Sequence, residues 1–203
     1  MENGLETNSV ELLGTILNEP VFSHKSYGEM FYCFMLGVER KSGYRDEIQV
    51  IVSERLIWKT PFSVGQRAYV NGQIRTYNEA AEGKNRLNVV VFAREFRIDE
   101  EETEDENRVL LEGFVCKVPV GRVSPLGREI CDIMLAVNRM YNKSDYIPCI
   151  AWGRNAGYTS KLEVGSRLSV TGRIQSREYR KKDEEGNVTI KTAYEVSILK
   201  IEE

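Results

Sequence analysis

At 203 residues the chain accommodates one large domain or two of ordinary size, and with 41% hydrophobic and 29% charged residues it has the composition of a soluble globular protein. No window approaches the ~20 consecutive apolar residues of a membrane span, and Met1 to Ser9 has neither the basic start nor the apolar core of a secretory signal, so the expected location is cytoplasmic, with no membrane partner. The net charge of −3 and sequence pI near 5.5 argue against a uniformly basic nucleic-acid binder.

Taken in chain order, the sequence runs twice through one pattern. Val10-x-Leu12-x-Gly14 returns as Val109-x-Leu111-x-Gly113, Leu36-x-Val38-x-Arg40 as Leu135-x-Val137-x-Arg139, and Asp46-x-Ile48 as Asp145-x-Ile147. Val64-Gly65-x-Arg67-x-x-Val70-x-Gly72-x-Ile74 then returns as Val164-Gly165-x-Arg167-x-x-Val170-x-Gly172-x-Ile174, displaced by one further residue. The period is far longer than the ~20–50 residues of a solenoid unit, so each copy is a whole domain. Residues 1–98 form the first, residues 99–106 an acidic linker and residues 107–203 the second. Charge follows this division: the first copy carries 12 basic and 12 acidic residues, the linker seven acids and no base, and the second copy 16 bases and 12 acids. The linker offers nothing apolar to bury and is expected to be solvated.

Within the second copy, apolar residues alternate over Val109–Val115, Ile130–Val137, Ile147–Trp152, Arg167–Ile174 and Val188–Ile201, as half-buried strands require. A helical stretch near Asn155–Leu162 separates the third strand from the fourth. The expected fold class is therefore all-β: two tandem five-stranded OB-fold barrels, each with a short helix between strands 3 and 4. Gly14 and Gly113 in the first strands, and Gly72 and Gly172 in the fourth, suit the bends of a small barrel. Pro148, unable to donate a ladder bond, implies an edge or bulged position.

The candidate chemistry is a binding surface. Period-two alternation places Ile147, Cys149 and Ala151 inside the barrel and Tyr146 and Trp152 together outside it. Tyr141 lies just past the second strand, and Tyr179 follows the fourth beside Arg177, Arg180, Lys181 and Lys182. Aromatic rings interleaved with cations suit unstacked bases and phosphates, because every base has a flat face to stack. A catalytic site is not expected: His24 sits in a loop and the carboxylates do not converge, whereas a nuclease needs convergent carboxylates. Cys33, Cys116, Cys131 and Cys149 contain no C-x-x-C pair to join His24 in a metal site, so no cofactor is expected and the thiols read as buried, reduced side chains.

These residues carry a family resemblance. Val109-Leu-Leu-Glu-Gly113, Leu135-Ala136-Val137-Asn138-Arg139-Met140-Tyr141, Ile150-Ala151-Trp152-Gly153-Arg154 and Val164-Gly165-Ser166 through Val170-Thr171-Gly172-Arg173-Ile174 resemble the bacterial single-stranded DNA-binding proteins over nearly the whole second copy. The resemblance implies base stacking at Tyr141, Tyr146, Trp152 and Tyr179. It implies phosphate contacts at Arg154 and Arg177, and Lys181, Lys182, Arg173 and Arg139 complete the expected single-stranded DNA surface. The same four aromatic positions in the first copy read Ser42, Glu47, Ser53 and Glu79, so that copy is expected to bind DNA weakly, through Arg75, Tyr77, Lys84 and Arg86, or to serve assembly. Ile201-Glu202-Glu203 does not resemble the acidic, phenylalanine-ended tip through which family members recruit replication and repair enzymes. The implied function is sequence-independent capture and protection of single strands in replication, recombination or repair, by a homodimer presenting four OB folds. The alternative is an adaptor like primosomal replication protein N, bridging DNA and replication proteins.

Overall fold

The computed structural model describes residues 6–81 and 83–202. The first half contains β1 (Asn8–Ile16), β2 (Val21–Ser26), β3 (Glu29–Glu39), β4 (Arg45–Ser53), α1 (Glu54–Lys59), β5 (Arg67–Ala81) and β6 (Lys84–Ile98). The second repeats it as β7 (Glu106–Val115), β8 (Val120–Val123), β9 (Glu129–Arg139), β10 (Lys143–Trp152), α2 (Arg154–Thr159), β11 (Arg167–Lys182) and β12 (Val188–Glu202).

In each half five strands close on themselves. β1 pairs with β3, β3 with β4, β4 in parallel with β6, β6 with β5, and β5 again with β1. The circuit β7–β9–β10–β12–β11–β7 is identical in kind. Alternation supplies the interiors: Leu12, Ile16, Phe34, Leu36, Ile48, Val70 and Ile74 fill one, and Leu111, Leu135, Ile147, Cys149, Val170 and Ile174 the other. Each fully buried large apolar side chain contributes about 1.5–3 kcal/mol, so these interiors fix which face of every strand points outward.

The two glycine pairs do different work. At Gly14 and Gly113 the strand that closes the barrel comes so near that an added Cβ would lie 2.3 Å from the Gly37 carbonyl oxygen and 2.4 Å from that of Ala136. At Gly72 and Gly172 the β5–β6 and β11–β12 registers slip, which is a bulge, and a Cβ would meet the Phe92 or Ser197 carbonyl oxygen at 2.0 or 2.1 Å. Pro148 lies before the first β10–β12 pair, Cys149↔Val196, so there β10 has β9 as its ladder partner, with no bulge.

The structure adds β2 and β8 to the five strands expected per copy. β8 is exposed throughout and β2 nearly so, and without a buried face neither leaves an alternating signal. The short helices follow β4 and β10. α1 is capped by the Ser53 hydroxyl, which accepts the Leu56 N–H at 3.3 Å, whereas α2 starts after Gly153 at φ +56° without a side-chain cap. α2 spans Arg154–Thr159, shorter at its end than the stretch expected from sequence. Among the described residues no helix is long and apolar enough to cross a membrane. Cys131 and Cys149 are buried; Cys33 and Cys116, expected to be buried too, are only partly so.

The barrels are joined edge to edge. The first half of β1 pairs antiparallel with the first half of β7, Val10 opposite Val109, giving one 12-stranded sheet. Because Val10 and Val109 are equivalent positions of the repeat, the junction has local two-fold character, an isologous contact within one chain. It also removes two open strand edges, which would otherwise expose unpaired backbone groups.

The same symmetry governs the polar locks beside it. Asp46, fully buried, accepts the Ser176 N–H of the other barrel at 3.0 Å and holds Arg40 through two bonds of 2.8 and 2.7 Å. Its counterpart Asp145, equally buried, accepts the Thr76 N–H at 2.9 Å and has Arg139 at 3.4 Å and Arg75 at 3.8 Å, neither aligned as a hydrogen bond. The acidic run between the barrels, expected to be solvated, is anchored at both ends. Arg67 lies 2.6 Å from Asp105 and 3.8 Å from Asp99, and the Glu39 N–H donates to Asp105 at 2.8 Å. One guanidinium between two carboxylates offsets their repulsion, while Glu100, Glu101, Glu102 and Glu104 remain exposed.

Candidate nucleic-acid interface

The outer face of the C-terminal barrel is written by the residues that alternation turns away from the core. Trp152 lies opposite Ile130 at the end of β10, half-buried, its indole N–H donating to the Ser197 hydroxyl at 3.2 Å. Arg173 lies opposite Ser197, and Gln175 opposite Glu195. Trp152, Arg173 and Arg177 line a cleft of about 680 Å³ that also takes in Arg128, Ser197 and, from the other barrel, Arg40 and Tyr44.

Charge in this cleft is unevenly compensated. Arg177 is 3.2 Å from Glu195, which Gln175 also engages at 3.0 Å. Arg40 is held by Asp46, whose hydrogen bonds push its guanidinium pKa above the ordinary value. Arg173 has its Nε buried without a partner, and its pKa is drawn down, first by burial and then by repulsion from Arg40, against the pull of Asp46. The Arg128 guanidinium lies 4.8 Å above the Trp152 ring, a cation–π contact worth about 0.5–1 kcal/mol at an exposed site.

The other expected residues do not line this cleft. Tyr141 is at the β9–β10 turn with φ +65° and is 87% exposed; Tyr146, 51% exposed, is on the outer face of β10; Tyr179, 39% exposed, is on β11 opposite Lys191. Arg154 is exposed at the start of α2, and Lys181 and Lys182 are exposed at the end of β11. The structure does not bring Arg139 to Trp152. It lies against Asp145 and lines a second cleft, of about 530 Å³, on the N-terminal barrel.

That second cleft holds Arg75 and Tyr77, as well as His24, Ile51, Val90 and Phe92. Arg75 is 5.7 Å from the Phe92 ring centre, and its pKa is lowered, first by burial and then by Arg139. Burial, followed by the charge of Glu79, raises the Tyr77 pKa. Arg86 reaches across to the Thr192 carbonyl at 3.3 Å, and the side chain of Lys84 lies outside the described residues. Sequence reasoning missed Arg128, which precedes its strand and carries no periodic signal.

Residues 106–202 match the model of the single-strand binding protein family. A single-stranded DNA-binding protein of Clostridium tetani is 36% identical over 84 residues, 38% of this chain and 58% of that protein. Single-stranded DNA-binding protein A of Bacillus subtilis is 38% identical over 80 residues, 36% of this chain and 46% of that protein. The chain spans about half the length of these relatives. The crystal structure of the wild-type single-stranded DNA-binding protein from Thermus aquaticus superposes with a TM-score of 0.76 at 23% identity, covering 96% of this chain and 91% of that one. The likeness in fold thus extends over both barrels.

Proposed function

We propose that the chain is, through its C-terminal barrel, a member of the single-strand binding protein family, and that it captures single-stranded DNA without regard to sequence on the face built around Trp152. The observation that carries this reading is the cleft in which an indole face is bordered by Arg173, Arg128 and Arg177, in a barrel that also exposes Tyr141, Tyr146 and Tyr179. Cations draw the phosphates in, and rings then replace base–base stacking with base–protein stacking, worth ~1–3 kcal/mol per base. Duplex is discriminated against because its bases are already stacked and paired.

Arg154, Lys181 and Lys182 extend the cationic path beyond the cleft. Residues 1–98 and 107–203 act as unequal partners, the first serving mainly assembly. Pairing of two chains would present four barrels, and since the β1–β7 junction occupies those strand edges, chains would meet through other faces. Light scattering at micromolar concentration should then give twice the mass of the chain; a monomeric mass would count against pairing. Protection of single strands in replication, recombination or repair follows from the same chemistry.

The decisive test is a fluorescence titration of the full chain with oligo-dT against duplex of the same length. Tight oligo-dT binding with little duplex binding is expected, and equal affinity for both would end this reading.

A further inference from the structure

We infer that the N-terminal barrel supplies the second wall of the nucleotide cleft, with Tyr44 as a base-contacting ring and Arg40 as its support. This inference rests on the DNA-binding reading and assigns part of the same site to a barrel that has lost its own aromatic positions.

Tyr44 follows the β3–β4 turn of the first barrel, yet its hydroxyl donates to the Ser176 carbonyl of the second at 3.2 Å. The adjacent Glu47 N–H donates to the Ser176 hydroxyl at 2.9 Å, and the Ser176 N–H donates to Asp46 at 3.0 Å. Three bonds to one residue thus fix this edge of the first barrel against β11. One face of the Tyr44 ring is backed by the Arg40 guanidinium, 4.4 Å from the ring centre. Arg40 is itself immobilised by its two bonds to the buried Asp46. A ring held in this way loses little freedom when a ligand arrives, which is where preorganised sites gain affinity.

The chemistry of the ligand follows from what the cleft leaves uncompensated. Arg40 and Arg177 are matched by Asp46 and Glu195, whereas among the described residues neither Arg173 nor Arg128 has a carboxylate within ion-pair distance. Two unmatched cations and two aromatic walls fit a nucleotide unit of a single strand, with its base against a ring and its phosphate on Arg173 or Arg128. The walls come from different barrels, so the site exists only when the β1–β7 junction is formed.

The test uses the full chain and oligo-dT carrying 5-iodouracil. Photocross-linking followed by peptide mapping should recover the Tyr44 peptide as well as those of the C-terminal barrel. Tyr44→Leu should lower oligo-dT affinity at least ~5-fold, the lower end of one stacked base. Tyr44→Phe, which keeps the ring but loses its hydroxyl bond to Ser176, should lose less affinity than Tyr44→Leu. Cross-links confined to residues 106–202, or a Tyr44→Leu chain of parental affinity and melting behaviour, would overturn the inference while leaving the DNA-binding reading intact. Absence of any cross-link or affinity in the parent chain would remove both.

Discussion

The clefts of the two barrels start from the same framework and end with opposite characters. At equivalent outward positions the C-terminal barrel carries Trp152, Ile130, Asp132, Glu195 and Ser197, and the N-terminal barrel Ser53, Phe31, Cys33, Val90 and Phe92. In the first barrel Phe31, Ile51 and Val90 form a small cluster of their own, with Phe92 against it and the His24 ring stacked 4.8 Å over Phe31. Its aromatics are used up in covering one another. In the second, polar Ser197 and Glu195 replace that cluster and leave Trp152 as a ring standing among cations. Interior residues were held in both copies because barrel closure depends on them, while the outward positions, which closure does not constrain, diverged.

The locks differ as well, and this gives the largest expected effect. Asp46→Ala leaves Arg40 and the Ser176 N–H without their acceptor in a buried site, a loss of about 3–5 kcal/mol. Asp145→Ala should cost less, since its arginines are not hydrogen-bonded to it. Urea melts of the two variants decide the order, and a larger loss for Asp145 would break the comparison.

Next comes binding. Trp152→Ala with Tyr179→Ala should weaken oligo-dT binding by at least ~2 kcal/mol, from two lost stacking contacts. Tyr77→Ala, in the self-covered cleft, should change it far less. Equal losses, read by titration, would mean that both clefts engage DNA.

A prediction on which the barrels should agree comes third. Gly72→Ala and Gly172→Ala place a methyl group against backbone carbonyls at almost the same distance, and each should cost ~1–3 kcal/mol of stability by overpacking. Thermal melts that separate the two widely would show that the bulges are not equivalent. The smallest effect is on salt dependence. Arg173→Gln should reduce the slope of log K against log salt by about 0.7, the share of one phosphate, and Arg75→Gln should leave it unchanged. An unchanged slope for Arg173→Gln would remove that residue from the phosphate path.

Much of this molecule was legible before folding. Alternation at Ile147, Cys149 and Ala151 gave the inward face of β10, and so the outward placement of Tyr146 and Trp152. The strands that escaped, β2 and β8, have almost no buried side chains and therefore no alternation to read. Arg139, grouped from sequence with the C-terminal aromatic surface, lines the second cleft instead, because alternation states which side of a strand a residue occupies, but not which body lies on that side.

Local order, then, was determined by the chain itself: repeat, strand, bulge glycine and interior follow from periods of two residues and from a duplication of about 100. What required tertiary structure was every relation between the copies. The pairing of Val10 with Val109, the reach of Tyr44 to Ser176 and the anchoring of Asp99 and Asp105 on Arg67 join segments that share no periodicity. Such contacts are chosen by shape, charge and open hydrogen-bonding edges in space, and these exist only once each barrel has closed.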